Sequence, residues 1–133
     1  MKQIGTAVHL FRIDRNDKFP ASPEEIAGEI GRSCFIAKFD RQTAPGGISY
    51  AYIGNIGRVS RDLARIPLAF EKPHLLPADQ NDLAVLYANG QVKIVPIPEV
   101  SRKSVREVTE VLTADLPDAA LKNRLLQNAD AVQ

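Results

Sequence analysis

Cysteine is almost absent from this chain of 133 residues, and its scarcity excludes several kinds of site. The single cysteine, Cys34, leaves no partner for an internal disulfide and too few thiolates for a cysteine-based zinc site. We interpret Cys34 as a small buried hydrophobic residue at the start of a strand. No apolar run approaches the roughly 18 residues that cross a membrane as a helix, so we expect the chain as given to be soluble.

An excess of charge of either sign is also missing. The 17 lysines and arginines nearly balance the 16 aspartates and glutamates, which gives a formal net charge of +1. The overall basicity that is typical of nucleic-acid-binding proteins is therefore absent. Arg58, Arg61 and Arg65 can meet a phosphate or an acidic partner, but no aromatic residues alternate with them as in single-strand binders. We expect no nucleic-acid partner.

Hydrophobic periodicity predicts helices towards both ends of the chain and short strands between them. Apolar residues recur at helical spacing in the first segment, namely Ile4, Ala7, Val8 and Phe11. Ser22 and Glu25 have the spacing of a capping box that begins a second, short helix. Pro67 confines the strand that contains it to a sheet edge or to a strand start. These predicted elements are helices over residues 1–14 and 22–31 and strands over residues 34–39, 49–53 and 66–71.

The clearest local pattern is a β-hairpin over residues 83–97. Asn89-Gly90 is the preferred pair for a two-residue type I′ turn between two runs of strand-forming residues. Such a turn places Tyr87 opposite Val92 and Val85 opposite Ile94. We therefore predict that these four side chains lie on the core side of the ribbon.

The pattern becomes helical again after Pro98. Ser104 and Glu107 have the spacing of a capping box, and a second helix restarts near Asp118 and is expected to fray from residue 128 onward. The apolar stripe of these helices is the candidate partner-binding surface, and it can cover the body of the chain or a second copy. Its residues are Val105, Val108, Leu112, Leu121, Leu125 and Leu126.

The order of elements predicts an α+β fold with a helix laid across a small antiparallel sheet. We divide the chain into a head over residues 1–98 and a helical C-terminal extension over residues 99–133. No internal repeat and no low-complexity segment is visible.

Few residues are placed to carry chemistry. Asp79, Asn81 and Asp82 lie in one loop, and oxygen ligands at this density can hold calcium, although the ligand ladder of an EF-hand is missing. A solvated turn is the simpler interpretation of these residues. His74 can serve a small hydrolase or a metal enzyme together with Asp79 or Asp82, but no motif spacing supports that alternative. We expect no enzyme activity and no cofactor other than calcium.

Four segments resemble a known family in their order along the chain. Residues 2–20 resemble the segment that follows the membrane helix of type II secretion pseudopilins, and they are most similar to the large pseudopilin-like families of Planctomycetes, Verrucomicrobia and Lentisphaerae. Residues 49–54 resemble the tyrosine-bearing strand of those families. Residues 67–74 and 83–92 resemble their closing region, with Asn89-Gly90 where the family has aspartate and glycine.

The resemblance implies a pilin-like fold and a non-enzymatic structural role in a secretion or pilus-like filament. It implies a hydrophobic anchor helix ahead of Lys2, a location at the periplasmic or cell-surface face of the inner membrane, and pilin-like subunits or secretion-system proteins as partners. The alternative is a soluble adaptor that uses residues 101–133 to bind a partner or to form a homo-oligomer. The helical extension is not required by the family pattern.

Overall fold

The computed structural model describes residues 2–26 and 49–132, and it confirms the predicted α+β class. A four-stranded antiparallel sheet lies between helices that precede and follow it in the chain. Within these two ranges, three single-turn helices connect the elements: Leu63–Arg65, Pro73–Leu75 and Val100–Arg102. The elements are helix α1 (Lys2–Asp14), strands β1 (Tyr50–Tyr52), β2 (Pro67–Glu71), β3 (Asp82–Tyr87) and β4 (Val92–Pro96), and helices α2 (Val105–Leu112) and α3 (Ala119–Ala131).

Part of the predicted pattern lies outside the described residues. The predicted strand over 34–39, Cys34 and the second half of the short helix over 22–31 belong to that part. Residues 24–26 are helical, as predicted. The Glu25 carboxylate accepts a hydrogen bond from the backbone N–H of Ala21, one residue before the predicted cap.

The strands follow one another in the sheet in the order β1-β2-β3-β4, so each neighbours the next along the chain. Pro67 begins β2, one of the two positions that its missing N–H allows. The pairing of β2 with β3 shifts between Pro67 and Ala69 and then continues regularly, with Phe70 opposite Val85. Antiparallel neighbours of this kind can be joined without a crossover of the sheet.

The predicted register of the β3–β4 hairpin is wrong by one residue. Leu86, rather than Tyr87, lies opposite Val92, and Ala84 lies opposite Ile94. The Tyr87 N–H donates to the Gln91 carbonyl at 2.8 Å, so three residues form the loop instead of two. A one-residue slip exchanges the faces of a strand, and Ile94, expected in the core, is 65% exposed.

The physical reason for the slip lies in the backbone of the turn. A type I′ turn needs a positive φ at both central residues, but of Asn89 and Gly90 only Gly90 has one, at 90°. The Gly90 N–H donates to the Tyr87 carbonyl at 2.9 Å, and the Asn89 side chain accepts from the Gln91 N–H at 3.1 Å. Glycine in the left-handed region at the third loop position is the usual alternative to the two-residue turn.

Helix α1 packs on the sheet through one apolar face and through Gly5. Ile4, Ala7 and Val8 are buried, as the periodicity predicts. Gly5 lies against β3, since a Cβ atom at this position would stand 3.0 Å from Cδ1 of Leu86. Leu86 therefore points towards α1, while its neighbour Val85 points to the opposite face. Both side chains are fully buried, so both faces of the sheet are covered.

The C-terminal helices belong to the same packed body. The capping box of α2 is confirmed, because Ser104 Oγ accepts the Glu107 N–H and the Glu107 carboxylate accepts the Ser104 N–H, both at 3.1 Å. Hydrogen bonding to the carboxylate from the Ser104 backbone, and then from the Ser104 side chain, lowers the pKa of the Glu107 carboxyl. The expected fraying from residue 128 is wrong: α3 continues to Ala131, and the Asn128 side chain donates to the carbonyls of Ile53 and Asn55, each at 2.9 Å.

One buried hydrophobic cluster includes residues from both sides of residue 98. Helix α3 contacts α2 and the edge strand β1. The division into a head over residues 1–98 and an extension over residues 99–133 stays a prediction about folding units. Its test is given in the Discussion.

Candidate functional site

The structure gives the loop over residues 79–82 a clear internal bonding pattern. Asn81 Oδ1 accepts from the Glu99 N–H at 3.0 Å, and Asn81 Nδ2 donates to the Asp79 carbonyl at 3.2 Å. The Asn81 amide thus joins this loop to the residue after Pro98, which explains the asparagine without a metal. Asp79 and Asp82 are exposed. The calcium hypothesis stays a prediction, and the solvated turn accounts for these contacts.

His74 is exposed on the single-turn helix Pro73–Leu75. It forms no hydrogen bond or ion pair with Asp79 or Asp82. Within residues 2–26 and 49–132, no three histidine, cysteine, aspartate or glutamate side chains are grouped to hold a metal ion. The geometry therefore offers no support for the hydrolase or metal-enzyme alternative.

The predicted partner-binding stripe faces the body of its own chain. Val108 and Leu125 are completely buried. The others pack against the same hydrophobic cluster or are nearly buried: Val105, Leu112, Leu121 and Leu126. The sequence left open whether this stripe packs on the body of the chain or on a second copy. In the structure it packs on the body. A partner that bound these side chains would first have to displace the helices.

The three arginines that can meet a phosphate or an acidic partner differ in their contacts. The Arg58 guanidinium donates to the Asn16 carbonyl at 3.1 Å and so helps to hold the end of α1. Arg61 and Arg65 are exposed.

A concave site that the sequence did not indicate lies between α1 and the β3–β4 hairpin. It is a groove of about 920 Å³. Its depth depends on how closely α1 approaches the sheet at Gly5 and on the hairpin register, neither of which the sequence pattern predicted. The lining comes from Gly5, Thr6, Val8, His9 and Arg12 of α1, from residues 87–93 of the hairpin, and from Leu63 and Leu68.

The charged side chains of this groove are basic. The Lys93 ammonium lies 5.1 Å from the centre of the Tyr87 ring, within the range of a cation–π contact. The Arg12 side chain is more buried. Its Nη2 donates to the Val59 carbonyl at 3.1 Å and lies 3.9 Å from Oδ1 of Asp17. No aspartate or glutamate is among the described residues of the lining. Burial raises the pKa of the Tyr87 phenol.

Tyr52 fixes the segment after α1 to the sheet. Its hydroxyl donates to the Pro20 carbonyl at 2.7 Å. Burial, and then the negative charge of Glu25, raises the pKa of the Tyr52 phenol far above its ordinary value. The folded protein thus retains this proton at pH values where the unfolded chain has lost it.

We expect the free energy of unfolding to fall as the pH rises above about 10, the ordinary pKa of tyrosine. Above that pH the unfolded chain binds fewer protons than the folded one, so the slope is negative, at up to about 1.4 kcal/mol per pH unit for one group. Urea denaturation between pH 9 and 12 measures it. Tyr52→Phe is expected to remove more of the slope than Tyr87→Phe, and equal slopes in wild type and Tyr52→Phe would contradict the assignment.

Comparison with protein-family models, curated proteins and solved structures gave no match. In the two described ranges, no helix combines the length and the apolar character that crossing a membrane requires. The site must therefore be interpreted from its own residues.

Proposed function

We propose that this chain is the non-enzymatic head of a pilin-like subunit, similar to the pseudopilins of type II secretion and type IV pilus-like systems. The architecture that supports the proposal is a helix followed by a small antiparallel sheet on which it packs. The segments that resemble the pseudopilin-like families form this part of the molecule: α1 and the turn after it, β1, β2 and the β3–β4 hairpin.

The observation that carries the proposal is how α1 divides its apolar residues. Ile4, Ala7 and Val8 are buried on the sheet, whereas Leu10 and Ile13 are 45% and 63% exposed. Leu10 and Ile13 stand three positions apart and are therefore neighbours on the helix surface. Neighbouring helices in a filament would cover such a pair, and we assign it that role.

The first test is the N-terminus that the protein carries in its own cell. Mass spectrometry of the membrane fraction is expected to find a hydrophobic helix ahead of Lys2, processed at a prepilin-type site. Protein found only in the soluble fraction, with Met1 as its native start, would refute assembly into a filament and would favour the adaptor.

The second test asks which surface meets other subunits. A photo-crosslinking amino acid at Ile13 of the full-length protein is expected to give multimers and cross-links to pilin-like subunits. Gln127, exposed on α3, is the matched control position. Equal products from the two positions would contradict the role of the α1 surface, whatever the N-terminus proves to be.

A further inference from the structure

We propose that the groove between α1 and the β3–β4 hairpin binds an extended acidic peptide segment of a partner protein. The apolar side chains of the peptide would enter the groove, and its carboxylates would meet Lys93 at the rim. The inference does not rest on the pilin-like function, because it uses only the shape and charge of this surface.

The extent of the concave surface favours a chain over a compact ligand. The groove of about 920 Å³ is by itself within the range of small-molecule sites. A second concavity of about 370 Å³ adjoins it and shares Tyr87 and Lys93 with it. This second concavity leads on to Leu112 and Leu116 near the end of α2. An elongated surface of this kind suits an extended peptide.

The lining provides apolar surface that a peptide side chain can bury. Leu63 and Val92 are both partly exposed there, and Val8 and Leu68 lie behind them as buried residues. Gly5 lets the helix wall approach the hairpin turn closely, since a Cβ atom there would stand 3.6 Å from the Gly90 carbonyl oxygen. Apolar contact of this kind supplies affinity in peptide grooves, while the few polar groups set orientation.

The sign of the charge decides which peptide fits. Lys93 is held over the Tyr87 ring, which attracts the ammonium group without neutralising it. Arg12 lines the same groove, where it is paired with Asp17, and Arg65 lines the second concavity together with one acid, Asp115. Basic residues that face an occupant favour an acidic partner and raise its association rate. A nucleic acid is less well matched, because the chain carries no row of phosphate-binding cations.

The experiment measures binding of two labelled octapeptides to the whole chain by fluorescence anisotropy. One peptide alternates glutamate with leucine and phenylalanine, and the other has lysine in place of each glutamate. The acidic peptide is expected to bind saturably and the basic peptide not to bind. Lys93→Glu is expected to lower the affinity for the acidic peptide by about tenfold or more. The matched control Lys122→Glu on α3 is expected to change that affinity by less than about twofold. Circular dichroism verifies that both variants are folded.

Three results would overturn the proposal. The first is no saturable binding of the acidic peptide up to millimolar concentration. The second is an equal loss in Lys93→Glu and Lys122→Glu, which would indicate general charge attraction without a site. The third is a single-stranded oligonucleotide that binds as tightly as the acidic peptide and loses as much affinity in Lys93→Glu. That result would assign the surface to nucleic acid.

Discussion

Replacing Leu125 with alanine is expected to lower the free energy of unfolding of the whole protein by about 2–5 kcal/mol, the usual cost of removing a fully buried leucine side chain. Leu125 is completely buried and lies on α3, the helix that contacts β1. The loss of stability should therefore extend to the sheet. A decrease of this size is a large part of the stability of a typical domain. Urea denaturation followed by far-UV circular dichroism measures it.

Val111→Ala is the matched control, since Val111 is 47% exposed on α2. An exposed substitution of this kind is expected to change stability by less than about 0.5 kcal/mol. Hydrogen exchange then distinguishes one folding unit from two. In a single unit, Leu125→Ala also lowers the protection of the Ile53 N–H, which donates to the Leu68 carbonyl in the sheet. Loss of protection confined to α2 and α3 would instead support a head and an independent extension.

Phe19→Ala is expected to cost about 3–5 kcal/mol, the range for a buried aromatic side chain cut back to alanine. Phe19 is completely buried, and its N–H donates to the Gly57 carbonyl at 2.8 Å. The Arg12 guanidinium lies 4.2 Å from the centre of the ring. Removing the ring therefore opens a cavity and also takes the aromatic face from Arg12, which lines the groove.

Phe11→Ala provides the comparison for this second substitution. Phe11 is only partly buried, and Arg15 lies farther from its ring, at 5.3 Å. Its replacement is expected to cost less than half as much as that of Phe19, because less apolar area returns to water. Equal losses of unfolding free energy for the two variants would show that the packing of Phe19 is not what holds the end of α1.

The fold class followed from signals that act over a few residues. The stripe of Ile4, Ala7 and Val8, the capping box of Ser104 and Glu107, and the position of Pro67 each depend on local backbone chemistry. The structure confirms all three. Such features can be predicted because each is satisfied within one turn of a helix or at one end of a strand.

The hairpin register and the groove could not be predicted in the same way. Asn-Gly is compatible with more than one loop, and the choice between a two-residue and a three-residue turn depends on what the strands pack against. The groove requires both that register and the close approach of Gly5 to Leu86, which are contacts between distant parts of the chain. The role of Asn128 was missed for a related reason, since its two acceptors lie more than 70 residues earlier.

The Asn128 contacts have a consequence for how the protein is made. Strand β1 leaves the ribosome long before α3, because Ile53 and Asn128 are 75 residues apart. At usual rates of synthesis, about 4–15 s separate the two. During that interval the carbonyls of Ile53 and Asn55 are without the amide that later binds them, and β1 is an edge strand open to other chains. A chaperone that shields β1 during translation would therefore protect the sheet until α3 has been made.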